Sequence, residues 1–135
     1  MDVKLSHTFI PVHDQDEALK FYRDTLGLEV HTDVTVAEYR WLTVNPPAQP
    51  DLQIGLELVG SGAPADRATL QALLAKGSLA GIIFRTSNCD ATFEEIRAAG
   101  AEVLQEPIDQ AYGVRDCAFR DPSGNMIRFS EPRAG

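Results

Sequence analysis

The sequence predicts an α+β fold in which two βαβββ modules form a curved mixed sheet around a cleft. Three observations predict it. A strand-like run leading into a capped amphipathic helix occurs twice, about 74 residues apart. Each occurrence is followed by three more strand-like runs. Between the two lies Gly60 to Gly77, which opens on Gly, Ser and Pro and then turns Ala/Leu-rich, the composition of a loop followed by a short helix.

Val3 to Val12 (VKLSHTFIPV) is rich in β-branched and aromatic residues and reads as the first strand. Asp14 and Glu17 then have the spacing of a capping box. Ala18, Tyr22 and Leu26 fall on one helical stripe, and Gly27 supplies a left-handed stop, so Asp14 to Gly27 is expected to be a helix. Leu28 to Thr35, Tyr39 to Val44 and Leu52 to Val59 are the remaining strands of this half, with Asn45-Pro46-Pro47 as a breaker. In the second half, Leu79 to Thr86 reads as a strand and Asn88 as a helix cap. Phe93 and Ile96 form the apolar stripe before Gly100. Glu102 to Gln105, Val114 to Arg120 and Asn125 to Ser130 complete it, with Asp121-Pro122-Ser123-Gly124-Asn125 as the turn between the last two. The copies align at a constant offset: His7 with Gly81, Asp14 with Asn88, Asp16 with Asp90, Tyr22 with Ile96 and Arg23 with Arg97.

Strand phase indicates which side chains face away from the helices. Leu52, Ile54, Leu56 and Leu58 are expected to face the helix, which turns Gln53, Gly55 and Glu57 to the cleft. The same rule brings His7 and Phe9 from the first strand, Tyr39, Trp41 and Thr43 from the third, and Gly81, Ile83 and Arg85 from the fifth. From the last strand it takes Met126, Arg128 and Ser130, leaving Ile127 and Phe129 as core. A cleft that is aromatic with a few polar groups is the usual make-up of a small-molecule site.

A chain of 135 residues makes a single domain, 1–135, with a first module at about 3–59, a linker at about 60–78 and a second module at about 79–132. Twelve basic against twenty acidic residues give a net charge of −8, which repels phosphate backbones and argues against a nucleic-acid partner. No apolar run approaches the roughly 20 residues of a membrane span, and Met1 to Ser6 lack the layout of a secretory signal, so a cytoplasmic protein without a membrane partner is expected. Cys89 and Cys117 lack CxxC spacing and are expected to be reduced bystanders.

The His in the first strand, the helix DQDEALKFYRDTLG, the second βαβββ half and the closing FRDPSGNMIRFSEP resemble the vicinal oxygen chelate superfamily. That group includes glyoxalase I, fosfomycin-resistance enzymes, extradiol dioxygenases and bleomycin-resistance proteins. RWLTVNPPAQPDLQIGLEL further resembles a glyoxalase-like subgroup. The resemblance implies a divalent metal in the catalytic branches, held by the first and last strands of each half. Carried over, the ligand positions are His7, Glu57, Gly81 and Arg128. Only His7 and Glu57 of these can bind a metal, because glycine has no side chain and a guanidinium stays protonated. No cofactor is therefore expected. His13 and His31 do not obviously complete the set.

The candidate catalytic residues are His7, Glu57 and Arg128, and the candidate ligand-binding residues are Phe9, Tyr39, Trp41, Thr43, Gln53, Ile83, Arg85, Tyr112 and Met126. His7 is a ligand contact, a general base or a strand histidine. Glu57 and Arg128 form an ion pair, or Arg128, alone or with Arg85, offers a fork to a carboxylate, phosphate or enolate oxygen. Trp41, Tyr39, Phe9 and Tyr112 stack on a planar ligand or pack as core; Tyr112 lies in a loop that is either a rim or a plain turn. Three functions stay open. The leading one is metal-independent binding of a small planar or anionic organic molecule. The second is a glyoxalase-like lyase or isomerase, with or without a metal, moving a proton next to a carbonyl. The third is a dimeric scaffold with a vestigial cleft. A homodimer is expected in each case.

Overall fold

The computed structural model describes residues 1–79 and 81–133. Strand β1 (His7–Val12) is followed by helix α1 (Gln15–Leu19), then β2 (Glu29–Val36), β3 (Tyr39–Asn45) and β4 (Gln53–Leu58). A 3₁₀ turn at Pro64–Asp66 and helix α2 (Arg67–Ala75) lie in the segment expected to link the halves. Strand β5 (Ile82–Arg85), helix α3 (Cys89–Ala98), β6 (Glu102–Asp109), β7 (Val114–Arg120) and β8 (Met126–Pro132) complete the chain. Ala80, within the expected fifth strand, lies outside the described residues. The chain divides into two compact units, Met1–Leu74 and Ala75–Gly135.

The βαβββ order of each half is as the sequence predicts, but the curved mixed sheet around a cleft is not what forms. The strands pair into two separate four-stranded sheets, ordered β1-β4-β3-β2 and β5-β8-β7-β6, and neither is closed. In each half the first strand pairs in parallel with the last, and the pairing runs through four strands and stops, leaving β1 and β2, and β5 and β6, as the edges of their sheets.

In the first unit the Asp14 carboxylate accepts the Glu17 N–H at 2.8 Å and starts α1. The expected single helix then widens into a π-helix over Lys20–Thr25, where the Leu26 N–H reaches the Phe21 carbonyl. That winding buries both Phe21 and Tyr22, whose rings meet edge to face at 5.1 Å, and leaves Leu26 half-buried. With Ala18 they cover Ile10, Val12, Leu42, Val44, Ile54 and Leu56, the buried alternate positions of β1, β3 and β4. Leu58, expected in this set, is exposed.

The second unit repeats the plan. The Asn88 side chain accepts the Ala91 N–H at 3.0 Å, and α3 buries Phe93 and Ile96. Phe93 stacks on Phe119 at 5.4 Å, and Phe129 joins Phe119 at 6.3 Å and Phe84 at 5.6 Å, tying the helix to β7, β8 and β5. The repeat extends to ion pairs. Arg40 bridges Asp16 and Asp33 at 2.6 and 2.9 Å, and Arg115 bridges Asp90 and Asp109 at 2.9 and 3.3 Å. Each arginine thus joins the first turn of its helix to the outermost strand of its sheet.

The two-residue turn joining β2 to β3 places Ala37 at φ 56°, a conformation that costs a residue with a Cβ. Ala37→Gly is expected to stabilise the protein by about 0.5 kcal/mol and to raise Tm by about 2 °C, read by calorimetry. An unchanged or lower Tm contradicts this account of the turn.

Candidate functional site

The helix covers one face of each sheet, and the opposite face holds the candidate residues. In the first unit the parallel register sets His7 opposite Gln53, Phe9 opposite Gly55 and Pro11 opposite Glu57. Thr43 of β3 lies on the other side of Gly55. The phase expected for His7, Phe9, Tyr39, Trp41, Thr43, Gln53 and Glu57 is therefore the phase observed.

Gly55 shapes this face. A Cβ there would lie 2.5 Å from the Phe9 ring, so the phenyl occupies space that any other residue would fill. The rings of β1 and β3 meet on this face: Trp41 is 5.9 Å from His7, tilted, and 6.0 Å from Phe9, edge to face. Phe9 is 52 % and Tyr39 47 % exposed, so the aromatic surface remains accessible.

The polar members of this face are hydrogen-bonded to one another. Thr43 is buried and its hydroxyl donates to the Gln53 side-chain amide oxygen at 2.9 Å. The Tyr39 hydroxyl donates to both Glu57 oxygens at 2.8 and 2.9 Å, and Ser61 adds a third bond at 3.0 Å. Desolvation, with the Glu57 carboxylate behind it, holds the Tyr39 phenol above its ordinary pKa. The dent beside this pair, lined by Gln15, Tyr39, Arg40, Glu57 and Ser61, has a volume of about 40 Å³. That is room for water, not for an organic ligand.

The second unit carries a different face. Ile83 stands opposite Arg128 and Arg85 opposite Ser130, so the three candidates share one side with Met126. Ile83 is 65 % exposed, and Arg85 is exposed. Arg128 has its acidic partner in its own sheet: its Nη1 lies 3.2 Å from Asp116 and donates to Gln105 at 3.0 Å. Asp116 is only 1 % exposed. It also accepts from Gln105 at 2.8 Å, Gln110 at 2.9 Å and the Tyr112 hydroxyl at 3.2 Å. Tyr112 is thus tied to the sheet by its hydroxyl while its ring stays exposed. Burial alone would raise the Asp116 carboxyl. The bonds from Gln110 and Gln105, the Arg128 charge and the Tyr112 bond outweigh it and hold the group below the usual carboxylate range.

Phase reasoning extended to β7 would have found Asp116, since Cys117 and Phe119 occupy the core side and Ala118 sits opposite Arg128. Gln105 had no such signal, because β6 shifts register on both sides of it. Cys89 and Cys117 are free and buried, and burial pushes the Cys117 thiol up to about 12.

The metal-ligand positions do not fit a metal. His7 and Glu57 are four residues apart in register, about 13 Å along the sheet at ~3.3 Å per residue. The residue across from His7 is Gln53, a neutral amide. A Cβ at Gly81 would collide with the Met126 carbonyl oxygen, so no ligating side chain fits there, and Arg128 brings a positive charge. Among the described residues no three His, Cys, Asp or Glu form a group able to hold an ion.

A group whose folded pKa is depressed contributes stability that is present above its unfolded value, about 3.9 for Asp, and lost as pH falls through the folded value. Urea unfolding is therefore expected to show a decline of wild-type stability below about pH 4 that is shallower in Asp116→Asn. At pH 7, Asp116→Ala is expected to cost about 3 kcal/mol, because it strands the partly buried Arg128 charge. Equal acid slopes, or a loss at pH 7 below about 1 kcal/mol, contradict the role given to Asp116.

The fold and its residues can be set beside known proteins. Over 129 residues the chain is 30 % identical to the uncharacterized protein YurT of Bacillus subtilis (strain 168), covering 94 % of this chain and 98 % of that one. The crystal structure of UcmS2 superposes with a TM-score of 0.89 at 39 % identity, covering 97 % of this chain and 99 % of the other. That of TnmS3, an antibiotic binding protein from Streptomyces sp. CB03234, gives 0.77 at 28 % identity over 97 % of each chain. The family model of the Glyoxalase/Bleomycin resistance protein/Dioxygenase superfamily matches residues 4–129, and with two βαβββ sheets in place the chain belongs to that superfamily.

Proposed function

We propose that this member of the superfamily is a small-molecule-binding protein that takes a planar organic ligand without a metal ion. The observation that carries the reading is the aromatic surface of the first sheet, where Trp41, Phe9 and His7 meet above Gly55 with Phe9 and Tyr39 left accessible. Flat rings stack on such a surface through dispersion and quadrupole contacts worth about 0.5–1.5 kcal/mol per pair. The antibiotic-binding activity of TnmS3, 28 % identical, is in keeping with it.

Proton transfer beside a carbonyl has less support. Glu57 has both oxygens engaged by hydroxyl donors, and four positions of register separate it from His7. Among the described residues no helix is long and apolar enough to cross a membrane. The free thiols of Cys89 and Cys117 suit a reducing, cytoplasmic setting. A homodimer is supported by the exposed valines Val30, Val34 and Val36 on β2, an outer strand of its sheet.

A thermal-shift screen tests the binding reading, with compounds of two and three fused aromatic rings in one arm and divalent cations in the other. The planar compounds are expected to raise Tm. Phe9→Ala and Gly55→Val, the latter by displacing the Phe9 ring, are expected to weaken binding about tenfold, or about 1.4 kcal/mol. No shift with any planar compound, or stabilisation by a stoichiometric divalent ion, contradicts it. Light scattering is expected to give twice the 14.8 kDa chain mass, and a monomer contradicts the dimer.

A further inference from the structure

The second sheet carries a feature that planar stacking does not use. The Arg128 side chain is 19 % exposed, yet only one of its three nitrogens meets oxygen. Nη1 is taken by Asp116 and Gln105, whereas the neighbour of Nη2 is the Met126 sulfur at 3.5 Å, a weak acceptor. No oxygen among the described residues accepts from Nε or Nη2. A guanidinium held at one corner, with Nε meeting no oxygen and Nη2 meeting only a thioether, presents its parallel Nε and Nη2 edge as a fork for two oxygens of one anion.

Asp116 does not compete for that fork. Its carboxylate is filled by donors from Gln105, Gln110 and Tyr112 as well as Arg128, which it meets at Nη1. A second charge stands on the same face. Arg85 is two residues beyond Ile83, which faces Arg128, and it has no ion pair among the described residues. In a chain of net charge −8, with its other bridging arginines committed to aspartates, an unpaired arginine beside a half-used one is a local positive site.

We propose that the face of the second sheet turned away from α3 binds an oxyanion, the carboxylate or phosphate group of a small molecule, with the Nε/Nη2 edge of Arg128 taking two oxygens and Arg85 supplying the second charge. The exposed Ile83 side chain gives the apolar part of such a molecule a contact next to the charged group. The proposal stands apart from the aromatic reading, since it uses no residue of the first unit.

The test follows the arginine Nε–H signals of the whole protein by NMR while inorganic phosphate is added in one arm and benzoate in the other. The Arg128 signal is expected to move saturably with at least one of the two anions, and the anion with the lower midpoint identifies the source. Arg85→Gln, on an exposed position, is expected to raise that midpoint at least tenfold. Arg128→Lys, which keeps the charge but loses the fork, is expected to abolish saturation at the Arg85 signal. Phe9→Ala is expected to leave the midpoint unchanged, so that failure of the aromatic reading and failure of this one are told apart. A linear shift with both anions, a midpoint shared with the surface residue Arg97, or a midpoint raised equally by Phe9→Ala overturns the proposal.

Discussion

The constraint on which the structure depends is that a four-stranded sheet with one helix can bury only one of its faces against that helix. Alternation then divides every strand into two sets of residues. In the first unit Ile10, Val12, Leu42, Val44, Ile54 and Leu56 are buried, and the intervening positions carry the aromatic and polar groups. In the second, Ile127 and Phe129 are buried while Met126 and Arg128 lie on the other side. A one-residue slip in any of these strands would exchange its two sets.

The repeated units share this frame and have diverged on the face it leaves. Conserved geometry is plain in the helix caps Asp14 and Asn88 and in the paired arginine bridges at Arg40 and Arg115. On the uncovered face the equivalents differ. Register equates Phe9 with Ile83 and Gly55 with Arg128, so a glycine that admits a ring in one unit is replaced by a guanidinium in the other. One surface is aromatic, and the other is organised around a buried carboxylate and its arginine.

Much of this was legible because it is periodic. Alternation over β1, β3, β4 and β8 places His7, Phe9, Trp41, Gln53 and Arg128 on the correct face, and the capping residues mark both helices. What sequence could not supply was non-periodic. The π-helical winding at Lys20–Thr25 breaks the 3.6-residue stripe, and the register shifts around Gln105 break the alternation of β6. Pairing register between distant strands was likewise hidden. It puts Gln53 rather than Glu57 across from His7, and it gives Arg128 a partner in Asp116. The single curved sheet failed for the same reason: phase tells which way a side chain points, but not where a set of strands stops pairing.

On this account organic ligands are recognised by side chains alone, because the four positions that would ligate a metal hold a histidine and a glutamate four residues apart in register, a glycine and a guanidinium. The most direct measurement is the affinity of a planar compound taken from the stabilising set, determined by calorimetry before and after exhaustive dialysis against a chelator. Equal affinities are predicted. An affinity that is lost on dialysis and restored by adding back a divalent ion would contradict the account.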